Sequence, residues 1–113
     1  PGSFGIVEEL ATRGVPLYAI TNFGAEFWDQ FRPTQPIFDH FRDVIVSGVE
    51  KLVKPDAAIY QLALSRFGLA EGEAIFIDDN LPNVIAAHEN GFVGHHFVDA
   101  KTLRDALVML GLL

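Results

Sequence analysis

Ala74-Ile75-Phe76-Ile77-Asp78-Asp79-Asn80 decides the fold: four apolar residues run without alternation into two adjacent carboxylates and an amide. An unbroken apolar run this short, placed after the turn-like Ala70-Glu71-Gly72-Glu73, predicts a strand buried on both faces, the habit of parallel sheets covered by helices. Its acidic end then lies at the carboxyl edge of a sheet, where open α/β folds bind their ligands. Two neighbouring carboxylates repel one another, and a bound cation, with Mg²⁺ the choice for hard oxygen donors, explains how both stay ionised. The competing reading is that Asp79 or Asn80 only caps the helix that follows.

The segments on either side repeat one pattern. Toward the C-terminus the sequence predicts a helix over 81–90 ended by Gly91, a strand over 92–98, and an amphipathic helix over 102–110 capped by Asp99 or Thr102. Toward the N-terminus, Phe4, Ile6, Val7, Leu10 and Ala11 fall at helical spacing, with Gly14 as the C′ residue. A short strand over 16–20 then delivers Thr21-Asn22. A helix over 24–31 carries Phe27, Trp28 and Phe31 and is closed by Pro33 and Pro36. With Phe38 and Phe41 these rings read as core or as an apolar cover, and some of them as the lining of a substrate entrance. The next strand, 43–46, ends in Ser47-Gly48. A loop over 49–54 leads to Pro55, which suits the first turn of a helix running to Phe67 with Gly68 as its stop. Helix and strand alternate throughout, so the expected class is α/β: a parallel sheet with helices on both faces.

The totals bound the function. A chain of 113 residues, half of them hydrophobic, supports one modest globular domain. A formal charge of -7 leaves no electrostatic footprint for nucleic acid or an anionic membrane, so neither is expected as a partner. With no cysteine there is no disulfide framework, which suits a cytoplasmic protein. The four histidines show no ligand spacing. Pro1-Gly2-Ser3, without an initiator Met, suggests a processed or truncated start.

Three polar groups stand at or just beyond successive strand ends: Thr21-Asn22, Lys54, and Asp78-Asp79. Parallel strands bring such groups to one edge of the sheet. A hydroxyl, an ammonium and a carboxylate pair are what holding a phosphoryl group and a metal ion requires. Singly each has a plainer reading, and a lone loop lysine is ordinarily just solvated.

Taken together, Ala19-Ile20-Thr21-Asn22, Ser47-Gly48 through Lys54-Pro55-Asp56, and Phe76-Ile77-Asp78-Asp79-Asn80 with Asn83 following make the chain resemble the haloacid dehalogenase (HAD) superfamily of hydrolases. These are its second, third and fourth motifs, in order, over almost the whole chain. The resemblance implies that Thr21 and the Asn22 backbone N–H hold the transferring phosphoryl group. It implies that Lys54 offsets charge, and that Asp78 and Asp79 hold Mg²⁺ directly or through water. Members that act as metal-independent dehalogenases usually lack the acid pair. The resemblance therefore favours the phosphatase branch, acting on small phosphorylated metabolites.

The family's first motif, an apolar strand ending in Asp-x-Asp, has no counterpart. No aspartate precedes Thr21, so no residue of this chain can serve as the nucleophile. The small helical cap that usually follows that motif is absent too. Residues 1–113 are therefore expected to be the C-terminal portion of a HAD-like core, incomplete because its central first strand is missing. That gap would leave two open strand edges, with Mg²⁺ binding weak, no turnover by the chain alone, and strand-mediated self-association as one outcome. The alternatives are a non-catalytic interaction or regulatory module and, less well supported, a dehalogenase.

Overall fold

The computed structural model describes residues 2–113, with side chains from Phe4 onward. Its elements are α1 (Gly2–Thr12), β1 (Tyr18–Thr21), α2 (Ala25–Phe31), two 3₁₀ turns (Arg32–Thr34 and Pro36–His40), β2 (Asp43–Val46), α3 (Ser47–Glu50), α4 (Ala57–Phe67), β3 (Ile75–Asp78), α5 (Leu81–Glu89), β4 (Val93–His96) and α6 (Ala100–Met109). Pro1 lies outside the described residues.

The strands form two separate parallel pairs, β1 with β2 and β3 with β4. Tyr18 stands opposite Asp43 and Thr21 opposite Val46 in the first; Ile75 stands opposite Val93 and Asp78 opposite His96 in the second. Each pair leaves one edge of β1 and one of β3 without a strand partner. Between them runs a cleft of about 640 Å³, whose walls include Ala19 and Ile20 of β1, Ile75 and Ile77 of β3, Leu10 of α1 and Leu107 of α6.

Two apolar clusters flank this arrangement. One gathers Ile45, Ile59, Tyr60, Ala63, Phe76, Val84, Ala87 and Phe92 under α4 and α5. The other joins Ile6 and Leu10 of α1 to Leu103 and Leu107 of α6. Helices thus cover both faces, as the alternating sequence requires. The ends are set locally. Gly14 and Gly68 take the left-handed conformation that stops α1 and α4, and the Asn80 and Asp99 side chains accept from the N–H of Asn83 and Thr102 at the starts of α5 and α6.

Three expectations need correction. Pro55 is not in the first turn of α4: the Asp56 N–H donates to the Val53 carbonyl, and this turn takes up Pro55, so the helix opens at Ala57 with Asp56 as its N-cap. The segment after β2 is not wholly a loop, because Ser47-Gly48 runs straight into the single turn α3. And β3 is not buried on both faces. Phe76 is buried in the first cluster, but Ile77 is 37% exposed because it borders the open cleft.

Candidate active site at the strand ends

The loop after α3 carries Lys54 to the carboxyl end of β3. Its Nζ donates to Asp78 Oδ2 at 3.1 Å, and both side chains are only 12% exposed. The ring of Phe76 lies 5.8 Å from the same ammonium, adding a weak cation–π attraction. Lys54 is therefore not a freely solvated lysine.

Asp78 is the most heavily bonded carboxylate of the site. The Asn80 backbone N–H donates to Oδ1 at 2.9 Å, and the Asn83 side-chain amide donates to Oδ2 at 3.1 Å beside Lys54. Burial pushes its carboxyl upward, but the Asn80 N–H, the Asn83 amide and the Lys54 ammonium together outweigh that and hold it below the usual carboxylate range. Asn83 is itself fixed from behind, where the buried Tyr60 hydroxyl donates to its carbonyl at 3.0 Å. Burial, with the Asp78 charge nearby, pushes the Tyr60 phenol up to about 12, so it acts there only as a neutral donor.

Asp79 is exposed, and among the described residues its carboxylate makes no hydrogen bond; its carbonyl meets His96 Nε2 at 2.9 Å. Thr21 closes β1 with its hydroxyl on the Ile45 carbonyl at 3.5 Å, a contact at the limit of a hydrogen bond and easily exchanged. Asn22 follows, its side chain bonded to the backbone of Lys54. Asn22, Lys54 and Asp78 are thus linked across the cleft mouth. Thr21 adjoins them with its hydroxyl turned toward β2, and Asp79 adjoins them with its carboxylate open.

The oxygen donors suit a hard cation such as Mg²⁺, but only in part. Both oxygens of Asp78 already have donors, Asp79 adds one open carboxylate, and the described residues contain no cluster of three or more groups able to hold a metal. Waters or further oxygen ligands would have to fill the rest of a Mg²⁺ shell.

Sequence reasoning gave no role to Tyr60 or His96 and none to the Asn83 amide. Asn83 carried a usable signal, since three residues past a strand-end Asn-cap its side chain falls back over the acid pair. Tyr60, on another helix, carried none.

Parallel strand pairs packed between helices, with these groups at their ends, define a hydrolase core of the HAD type. The chain belongs to this family: the haloacid dehalogenase-like hydrolase family matches residues 1–91. Among characterised relatives it is 37% identical over 95 residues to the sesquiterpene phosphatase astK of Aspergillus oryzae, an alignment covering 84% of this chain and 48% of that protein. It is 30% identical over 80 residues to a phosphoserine phosphatase of Thermus thermophilus, covering 71% and 32%. A hydrolase from Streptococcus pneumoniae shares the fold, with a TM-score of 0.78 at 19% identity, covering 95% of this chain and 56% of that one. The chain spans about half the length of the first relative and a third of the second. No helix of the described residues is long and apolar enough to cross a membrane.

Proposed function

We propose that this chain is the C-terminal portion of a Mg²⁺-dependent phosphatase-type hydrolase acting on small phosphorylated metabolites, and that it is inactive without an added acidic strand. The observation that carries the reading is the convergence of Lys54 on Asp78 at the mouth of the cleft between β1 and β3. The cleft has two strand edges in need of hydrogen-bond partners, apolar walls, and a cationic group at one end. Its natural occupant is an extended apolar strand whose carboxyl end brings a carboxylate to Lys54.

In the completed site Thr21 gives up its long contact with Ile45 and donates to a phosphoryl oxygen, with the Asn22 backbone N–H beside it. Lys54 lies between the phosphoryl group and the acids and offsets their combined charge. Asp78, locked by its three donors, holds Lys54 in place. Asp79, open to solvent, is the carboxylate free to ligate. Mg²⁺, when bound, supplies further neutralisation of the phosphoryl charge. The covalent step falls to the incoming carboxylate, because no residue here is placed to attack phosphorus. Relatives named as phosphatases and the presence of Asp79 support this branch over the dehalogenases.

A second reading rests on the same open edges: the chain is a non-catalytic module that pairs with a strand of another copy or another protein. The deciding experiment joins a segment carrying an apolar strand with a terminal Asp-x-Asp, in cis or as a separate peptide, and measures phosphate release from small phosphomonoesters. Mg²⁺-dependent release that Lys54→Ala and Asp79→Ala abolish supports the hydrolase. Release that survives both substitutions overturns the site assignment, and stable strand capture without release supports the module.

A further inference from the structure

The side-chain amide of Asn22 meets the backbone of Lys54 at both of its polar groups. Nδ2 donates to the Lys54 carbonyl at 3.2 Å, and Oδ1 accepts from the Lys54 N–H at 3.0 Å. The two bonds face each other as a strand ladder's do, but they cross 32 residues and come from a side chain. Among the described residues, no other hydrogen bond joins residues 52–55 to β1 or the loop after it.

We infer that Asn22 is a positioning residue for Lys54: its side chain, and not only its backbone N–H, registers the lysine-bearing loop against the end of β1. The inference rests on the reading of Lys54 as the phosphate-facing cation. A lysine has four side-chain torsions, and its ammonium can be aimed only if its backbone is fixed. The Nζ–Asp78 contact fixes the far end, and a phosphoryl group competes for that same ammonium. When Nζ turns from Asp78 toward an anion, the backbone clamp is what keeps it over the cleft mouth. Alanine cannot make either bond. Its methyl leaves the Lys54 N–H and carbonyl to water, and the loop is then held through the ammonium alone.

Acetic anhydride labelling of the intact chain, read lysine by lysine by mass spectrometry, tests this without any activity. In the wild type, Lys54 should label more slowly than the exposed Lys51 and Lys101. In Asn22→Ala, Lys54 labelling should rise about thirtyfold, the size expected for two lost hydrogen bonds, with Lys51 and Lys101 unchanged. Unchanged Lys54 labelling in a folded variant overturns the inference. So does a rise shared by all three lysines, which would mark general loosening. Hydrogen exchange on the wild type gives a check that needs no variant: the Lys54 amide should be protected, and exchange at the rate of a free amide overturns the clamp. Neither readout involves phosphate release, so the hydrolase reading stands or falls on its own assay.

Discussion

Gly48→Ala sets two effects of opposite sign against each other. Gly48 lies inside α3, where alanine's intrinsic helix preference favours the substitution by about 1 kcal/mol. Its Cβ, however, would stand 2.5 Å from the Ala25 backbone nitrogen, 2.7 Å from Gly24 Cα and 2.8 Å from the Gly24 carbonyl carbon. These are backbone atoms at the start of α2 and cannot swing aside as a side-chain tip would. Ordinary contact lies near about 3.5 Å, so the two segments must part by about 1 Å. That movement strains the Gly48 N–H bond to the Phe23 carbonyl, 2.9 Å, and the Ser47 hydroxyl bond to the same oxygen, 3.3 Å. Overpacking costs about 1–3 kcal/mol and one lost hydrogen bond about 1 kcal/mol, so the steric effect wins by roughly 1–3 kcal/mol. Urea unfolding followed by fluorescence of Trp28, on α2 itself, measures it. Gly5→Ala is the matched control, because a Cβ there meets nothing within 4 Å and only the helix preference remains, a gain of up to about 1 kcal/mol. A Gly48→Ala protein as stable as the wild type would refute the close approach of α2 and the Ser47-Gly48 corner.

Three further outcomes follow from particular contacts. Arg66 holds both oxygens of Asp43, Glu50 and the Val44 carbonyl with one guanidinium, so Arg66→Lys, which keeps the charge but not the fork, should lower stability by about 1 kcal/mol in chemical denaturation. Tyr60→Phe should cost about 1 kcal/mol by thermal unfolding, from the buried hydroxyl lost at the Asn83 carbonyl. Asp78 has a folded pKa below its unfolded value, so its contribution is complete above the unfolded value near about 4 and is lost as pH falls through the depressed folded value. The stability difference between wild type and Asp78→Asn should therefore be constant above about pH 5 and shrink on acidification, as urea midpoints across that range would record.

The local parts of the fold were legible because each rests on neighbours in sequence. The strand Asp43–Val46 lies where its apolar run and the following Ser-Gly place it, and Asn80, Asp99, Gly14 and Gly68 do at helix ends what those residue types do generally. The motif order also gave the family, which the match over residues 1–91 shows. What stayed hidden is non-local. The Asn22 clamp on Lys54, the Tyr60 bond to Asn83 and the Arg66 network join residues 16 to 32 positions apart, and no periodicity encodes them. Pro55 was misplaced for a related reason: a proline suits a helix's first turn and a tight turn equally, and the bond from Asp56 to Val53 chose the latter.

The adjacent carboxylates take on a different meaning once their partners are known. From sequence alone, a bound cation is what explains how Asp78 and Asp79 both stay ionised. The structure supplies one from the chain itself, since Lys54 lies 3.1 Å from Asp78 and two further donors complete that carboxylate's shell. Mutual repulsion is thus no argument for a metal. The proposed Mg²⁺ then rests on Asp79, whose carboxylate is exposed and unbonded among the described residues, and on the carboxylate that the proposed incoming strand would bring. The two acids divide the work by position: Asp78 ends β3 facing inward, where it fixes Lys54, and Asp79, one residue later, faces out and stays available. Removing the two charges singly, by Asp78→Asn and by Asp79→Asn, should therefore give unlike results. The first should loosen Lys54 and lower stability by about 1–3 kcal/mol, the cost of replacing a charge-assisted bond by a weaker one to an amide oxygen, while the second should leave stability within about 0.5 kcal/mol and affect only metal binding in the completed site. Equal losses of stability in the two variants would show that the division does not exist.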